Sequence, residues 1–165
     1  MKNIKQLVDV ALNNGKGVFR LLPNWVPRSF CIPGRRLKLH PDDYYAFGAY
    51  RGGIDERWFA STTRADNGPE TLVDEGLSYI YIIDGGIKEK FLLKDAITLL
   101  GEDIIGEKLM KDYGGWPMYS KFFDNLEPLP LHLHLNDACA ANVGQKGKPE
   151  GYYFPRQYGL SPPIQ

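Results

Sequence analysis

Apolar and polar positions follow a helical spacing in two stretches of the chain. Apolar side chains recur at this spacing along residues 4–13, and Gly15 is placed to end the helix. A longer apolar face runs through residues 92–111, where we expect Gly101 and Gly106 to divide the stretch into two helices. The pattern therefore predicts helices at the amino end and in the middle of the chain.

Strand patterns fill much of the remaining sequence. The clearest is residues 77–84, which ends in the turn sequence DGG. Leucine and histidine alternate from Leu131 to Leu135, the period of a strand with two different faces. Shorter strands are predicted at residues 18–23, 37–40, 57–61, 129–135 and 151–154. The expected fold is mostly β, with an α+β amino-terminal region that leads into an all-β element.

Composition narrows the class of protein. A length of 165 residues suits one domain, and 43% hydrophobic with 24% charged residues is typical of a folded chain. Twenty basic residues balance twenty acidic ones, so the basic field of a nucleic-acid binder is missing. The absence of a long apolar run or signal-peptide pattern argues against membrane insertion and secretion. Cys31 and Cys139 are too few for a disulfide framework, so we expect a reducing cytoplasm.

The candidate chemistry lies near the carboxyl end. On the predicted strand, His132 and His134 project side by side on one face, while the flanking leucines point into a core. Two imidazoles on a strand form a bidentate metal clamp, and a hairpin would return Glu150 of the G-K-P-E sequence to them. On the residues alone, a surface histidine pair and a solvated turn glutamate are the more common interpretations, although two of the chain's three histidines fall in this motif. The candidate metal ligands are His132, His134 and Glu150.

Three segments resemble the type I phosphomannose isomerases of the cupin superfamily. The longest, LPLHLHLNDACAANVGQKGKPEGYYF, is similar to the family's histidine strand followed by G-K-x-E and aromatic residues. WPMYSKFFDN is similar to its F-P-L-L-x-K-x-L-D-A segment, and RGGIDERWFAS to its early G-G-x-x-G-E-S-W-E-x-S element. The resemblance covers roughly residues 45–155 and is most specific at G-K-P-E.

The resemblance implies a zinc site built from glutamine, histidine, glutamate and a later histidine. Carried onto this sequence, the glutamine position is His132, the histidine is His134 and the glutamate is Glu150. The family's active-site lysine of G-K-x-E becomes Lys148, and a second family lysine becomes Lys121. A histidine therefore replaces the glutamine, and the set of two imidazoles and one carboxylate is closer to a general cupin set.

The resemblance also implies a fold and an activity. It divides the chain into a leader of residues 1–36 and a cupin region of residues 37–165, an incomplete jelly-roll β-barrel truncated at its carboxyl end. The implied reaction interconverts mannose 6-phosphate and fructose 6-phosphate, with a small sugar phosphate as the only expected partner. The family's fourth ligand and catalytic arginine fall outside this sequence. We therefore expect the chain alone to lack isomerase activity.

Two other functions remain open on the same residues. Two histidines and one carboxylate are also the ligands of non-haem iron oxygenases. A non-catalytic module that binds a sugar or a structural metal would use the same site. Zinc after purification favours the isomerase, iron with oxygen consumption favours the oxygenase, and the absence of metal favours the binding module.

An internal similarity adds a possible second site. Residues 37–59 align without a gap over residues 131–153, which places His40 on His134 and Glu56 on Glu150. Two explanations of the match remain open. One is an ancient duplication, and the other is chance together with the similar residue requirements of two strand-turn-strand segments. Lys38 stands where the second copy has a histidine, and its cation would repel a metal.

Overall fold

The computed structural model describes residues 2–154 and shows an α+β fold with small antiparallel sheets. The chain divides into two compact units, one that ends at Leu129 and one that begins at Pro130. The division of the chain at residues 36 and 37 stays a prediction. In chain order the elements are α1 (Ile4–Gly15), β1 (Asn24–Arg28), β2 (Gly53–Phe59), β3 (Tyr79–Asp84), β4 (Ile87–Leu92), α2 (Leu93–Ile105), α3 (Glu107–Tyr113), β5 (Ser120–Phe123) and α4 (Asp137–Ala141), with short 3₁₀ turns at Pro41–Asp43 and Ala49–Arg51.

The larger core of the first unit joins α1, α2 and the β3–β4 hairpin. Asn3 caps α1 by accepting a hydrogen bond from the backbone of Gln6, whose side chain accepts one from Asn3 in return. Helix α1 buries its predicted apolar face against this hairpin. The core residues are Leu7, Val8, Ala11, Ile80, Ile82, Phe91, Leu93, Ala96 and Ile97. The predictions of a helix along residues 4–13 and a strand along 77–84 are confirmed.

The predicted helical stretch of residues 92–111 is divided at Gly106, as expected. Gly106 has a φ of 88°, which leaves α2 and α3 as separate helices. Gly101 stays inside α2, next to a kink at Leu100. A side chain at position 101 would run into the sulfur of Met110 on α3, so this glycine serves the packing of the two helices.

A second, three-stranded sheet has the order β1-β2-β5. Val26 pairs with Glu56 and Pro27 with Ile54, which leaves Asp55 as the extra residue of a β-bulge. Proline has no N–H to donate to the ladder, so it is tolerated at a bulge on an edge strand. Below the sheet, Val26 and Trp58 pack with Ala65 and Tyr119. The first four residues of β2 are all buried, and the bulge lies among them.

The prediction of an all-β element at the carboxyl end is wrong. Neither residues 129–135 nor residues 151–154 form a strand, and residues 37–40 do not either. Leu131, Leu133 and Leu135 are 104%, 87% and 46% exposed, so they do not enter a core. An alternating pattern of residues decides which face of a strand each side chain occupies. A strand also needs a neighbouring strand that pairs with its backbone N–H and C=O groups. No strand is present among residues 124–154, so the described chain is α+β rather than mostly β.

The helices are short relative to the thickness of a lipid bilayer. Within the residues described by the structure, none is long and apolar enough to cross a membrane.

Candidate functional site

A compact loop in the second unit joins the histidines to the G-K-P-E sequence. The side chain of Asn136 accepts a hydrogen bond from Cys139 N at 2.9 Å and so begins α4. Asp137 Oδ1 accepts a hydrogen bond from Gly147 N at 2.9 Å, and Leu135 O accepts one from Lys148 N at 3.2 Å. These bonds return the chain to its starting point through a helical turn rather than the predicted hairpin.

Gly147 has a steric role in this loop. A Cβ atom at this position would lie 2.6 Å from Asp137 N and 2.8 Å from the carbonyl carbon of Asn136. Backbone atoms cannot move away from such a contact without opening the loop. The glycine of G-K-P-E is therefore required for the close approach of the two chain segments.

Three side chains meet at one point beyond the loop. His134 Nε2 lies 2.8 Å from Glu150 Oε2, and Lys148 Nζ lies 2.9 Å from the same oxygen. The lysine and histidine nitrogens are 3.3 Å apart. The side chains of His134 and Glu150 are 31% and 16% exposed, so water still reaches the cluster. The structure thus brings together His134, Glu150 and Lys148, three of the five predicted site residues.

His132 lies beside this cluster. Its Nδ1 is 2.7 Å from the carbonyl oxygen of Pro130. Because the carbonyl only accepts, Nδ1–H is the donor, and Nε2 carries the lone pair of the neutral ring. The rings of His132 and His134 have centroids 4.9 Å apart and planes at 70°. The two imidazoles are neighbours as predicted, but they meet edge to face rather than in parallel.

The residues fit a divalent metal by their chemistry. Imidazole nitrogen and carboxylate oxygen are zinc ligands, and a histidine whose second nitrogen donates to a backbone carbonyl is typical of metal sites. Among residues 2–154, however, no three histidine, cysteine, aspartate or glutamate side chains stand together closely enough to hold a metal. Two ligands are in contact and the third is one ring away, so the zinc site stays a prediction.

Lys121 lies in the first unit, on β5. Its Nζ is 3.4 Å from Glu56 Oε2 and 4.1 Å from the centre of the Phe123 ring. Trp58, which pairs with Lys121 across the strands, lies below it. The catalytic role carried over to Lys121 stays a prediction.

The sequence reasoning missed a buried ion cluster around Glu56. Arg28 binds this carboxylate through two atoms, Nε at 2.9 Å and Nη2 at 3.2 Å. Trp58 Nε1 donates to the same carboxylate at 2.5 Å. Glu56 and Trp58 are two apart in β2, so their shared face was readable from the sequence. The partners Arg28 and Lys121 come from distant segments and gave no sequence signal.

A second ion pair extends this cluster. Arg51, on the 3₁₀ turn before β2, and Glu75, in the loop before β3, form a buried pair. Asn67 connects the two pairs, because its side-chain oxygen accepts a hydrogen bond from Arg28 at 2.5 Å and its amide donates to Glu75. The two ion pairs are therefore linked to each other through Asn67.

His40 does not belong to this cluster. Its Nδ1 accepts a hydrogen bond from Asp42 N at 3.4 Å, and its side chain is largely exposed on a 3₁₀ turn. Glu56, by contrast, is held by Arg28 and Trp58. The alignment of His40 and Glu56 with the second copy does not create a matching pair of contacts.

Asp55, the bulge residue, is fully buried, and neither carboxylate oxygen has a hydrogen-bond partner among the described residues. Burial, with the charge of Glu56 adding to it, raises the pKa of Asp55 to about 7. Burial and the neighbouring Asp55 raise the pKa of the Cys31 thiol to about 12. Cys31 therefore stays a neutral thiol and is not a nucleophile of the kind that needs a thiolate.

No family model, curated protein or solved structure matches the chain.

Proposed function

We propose that the protein is a divalent-metal sugar-phosphate isomerase of the phosphomannose isomerase type, which interconverts mannose 6-phosphate and fructose 6-phosphate. The observation that carries the proposal is the contact of His134, Glu150 and Lys148 at the G-K-P-E sequence. These residues come from the two ends of a closed loop, and each stands at a position that the resemblance assigns to the active site. The same proposal includes an incomplete cupin barrel as the fold and the cytoplasm as the compartment, in keeping with two free cysteines.

His134 and Glu150 would hold the metal, and His132 would supply the third ligand through Nε2. When bound, the metal polarises the adjacent oxygens of the sugar and stabilises the negative charge that develops as a proton moves between two carbons. Three protein ligands leave coordination positions open for those oxygens. Zinc is the metal we propose.

Lys148 has a separate role in this proposal. Its ammonium reaches the carboxylate and the imidazole at 2.9 Å and 3.3 Å, and nearly half of its side chain is exposed. A cation placed there donates hydrogen bonds to sugar hydroxyls or to a bound water next to the reacting carbons. Glu150 Oε2 orients the ammonium, because it accepts one of the three donors.

The first test measures zinc affinity in the full chain. Wild type is expected to bind one zinc per chain, and His134→Ala should lower the affinity by about 100-fold or more because a ligand is removed. His40→Ala is the matched control, since it removes a largely exposed histidine on a 3₁₀ turn of the first unit. Equal zinc content in wild type and His134→Ala would reject the site.

The second test measures the reaction. A coupled assay detects fructose 6-phosphate formed from mannose 6-phosphate by the zinc-loaded chain, and oxygen uptake is recorded with the iron-loaded chain. Turnover of about 1 per second or more, lost in His134→Ala, would support the isomerase and show that the chain contains a complete site. Oxygen uptake without isomerisation would support the oxygenase instead.

A further inference from the structure

One face of the β1-β2-β5 sheet carries an arginine among aromatic rings. In the strand register, Trp25 pairs with Arg57 and Arg57 pairs with Phe122, so these three side chains lie in a row across the sheet. Phe59, two residues after Arg57, projects on the same face. The opposite face holds Val26, Trp58 and the Glu56 ion cluster. The two faces therefore differ in character, and the aromatic one has no role in the proposed function.

The guanidinium of Arg57 is held in place by the rings. Its central carbon lies 5.2 Å from the centre of the Trp25 ring and 5.0 Å from that of Phe59. Both distances are within the range of cation–π attraction. Phe59 in turn meets Phe122 edge to face, with ring centres 5.0 Å apart. The arginine is thus positioned before any ligand arrives, which reduces the entropy lost on binding.

The charge of Arg57 is not neutralised within the part of the chain that the structure describes. No hydrogen bond or ion pair joins its side chain to residues 2–154, and its Nε is buried without a partner. The other buried arginines, Arg28 and Arg51, each bind a glutamate. A half-buried guanidinium without a carboxylate favours an anionic ligand, because its forked donors match a phosphate or carboxylate.

An open depression lies beside the aromatic rings that hold this arginine. Phe59, Ser120, Lys121 and Phe122 line an open cleft of about 300 Å³. Phe122 is 59% exposed and offers an uncovered ring face. Ser120, exposed and opposite Phe59 in the register, adds a hydroxyl donor. Pockets of this size fall at the lower end of the range for small-molecule sites.

We propose that this face binds a small phosphate monoester that carries a ring, with Arg57 on the phosphate and Phe122 against the ring. Three terminal oxygens allow the phosphate to accept from the guanidinium and from the Ser120 hydroxyl at once. When the ring of the ligand covers Phe122, apolar surface on both rings is removed from water, and this burial contributes to affinity. Sugar phosphates and nucleoside monophosphates share this chemistry. The inference is independent of the proposed isomerase function.

The test is isothermal titration calorimetry without metal, in the His134→Ala chain so that the candidate metal site does not contribute. The ligands are mannose 6-phosphate, adenosine monophosphate, inorganic phosphate and mannose. We expect at least one ester to bind clearly more tightly than inorganic phosphate, and mannose not to bind. The ester with the higher affinity shows whether the preferred ligand is a sugar phosphate or a nucleotide.

Variants test whether the esters bind at the face that carries Arg57. Arg57→Gln should weaken the ester by about tenfold or more, since a charge-assisted hydrogen bond is lost, whereas Arg20→Gln removes an exposed arginine and should change affinity less than twofold. Phe122→Ala should weaken the ester but leave inorganic phosphate unchanged. Arg57→Lys keeps the charge and should restore part of the affinity, and thermal unfolding verifies that each variant folds.

Three results would overturn the proposal. These are absence of binding by both esters, equal affinity of Arg57→Gln and wild type, and inorganic phosphate binding as tightly as the esters. Size-exclusion chromatography adds a fourth, because a dimer that Phe122→Ala converts to a monomer would show that the face is a protein contact.

Discussion

Glu56 and Glu150 occupy equivalent positions when residues 37–59 are laid over residues 131–153, and each carboxylate contacts a lysine. Their surroundings differ. Glu56 lies in a paired strand, is almost fully buried, and also accepts from Arg28 and Trp58. Glu150 follows a loop and remains partly exposed.

The difference separates a structural carboxylate from one that can react. The carboxylate of Glu56 is almost fully buried and is held by Arg28, Trp58 and Lys121, which favours a structural role. Around Glu150, the imidazole and the ammonium are both groups that a metal or a sugar can displace. The same residue type at the same place in a repeated pattern is therefore used once for stability and once, in our proposal, for chemistry.

The largest expected effect comes from removing the charge at the buried position. Glu56→Gln should lower the free energy of unfolding by about 3–5 kcal/mol, because Arg28 is then left as a buried charge without its carboxylate. Glu150→Gln should cost less than about 1 kcal/mol, as is typical of partly exposed pairs. Urea unfolding of both variants measures the two values. Equal losses would mean that the two carboxylates do not differ in role.

Asp55 gives a second comparison with Glu56 inside the first unit, because it is a buried carboxylate without the partners that Glu56 has. Its pKa is 3.8 when unperturbed and about 7 in the fold. The folded state therefore keeps a proton that the unfolded state loses, and stability should fall by about 4 kcal/mol as pH rises from about 4 to about 7. Above pH 7 this contribution should be constant.

Asp55→Asn isolates this contribution. The variant should be more stable than wild type at pH 8, with the difference shrinking toward zero at pH 4. Unfolding midpoints in urea at several pH values, with wild type measured in parallel, cancel the contributions of all other groups. A constant difference between the two proteins across this range would contradict the raised pKa.

Gly147→Ala tests whether the loop positions Glu150. The new methyl group would meet backbone atoms of Asn136 and Asp137, and such overpacking costs about 1–3 kcal/mol. The loop should open, and zinc affinity should fall by about tenfold. Gly151→Ala is the matched control, because a Cβ there has nothing within 4 Å. Unchanged zinc affinity in Gly147→Ala would show that the loop does not position the ligands.

An effect of the opposite sign is expected for Lys148→Met. The ammonium lies on the same oxygen that would bind the metal, and a single and a double positive charge roughly 4 Å apart repel each other by about 2 kcal/mol in water. Zinc affinity should therefore rise by about 30-fold, while any isomerase turnover is lost. Lys5→Met makes the same charge change at an exposed position of α1 and should leave both unchanged. A fall in zinc affinity in Lys148→Met would show that the lysine supports the metal rather than competing with it.

The features that were predictable from the sequence are those with a local period. Helix α1 and strand β3 each carry a regular set of core residues, and both were predicted within two residues at each end. Strand β4 was missed, since its sequence IKEKFL has three consecutive charged residues and no alternation. The strand predicted at residues 129–135 has perfect alternation but no partner, and pairing is not encoded in one segment.

The candidate site was predictable in its members but not in its construction. His134, Lys148 and Glu150 followed from a motif whose spacing fixes their order. The hydrogen bonds that bring them together depend on Asn136 and Asp137, which no pattern in the sequence singles out. Arg57 and its rings were missed for a related reason, because a face of a sheet combines residues from three distant strands.

The exposed leucines at the start of the second unit determine where proteases can cut the chain. From Leu131 to Leu135 the backbone forms no sheet ladder, and a large apolar side chain stands at every second position. Proteases bind their substrates as extended chains, and those of chymotrypsin type cleave after large apolar residues. Brief digestion should therefore cut the chain beside His132 and His134. Any ligand that orders these histidines would protect the peptide bonds around them, so the rate of cutting reports occupancy of the site.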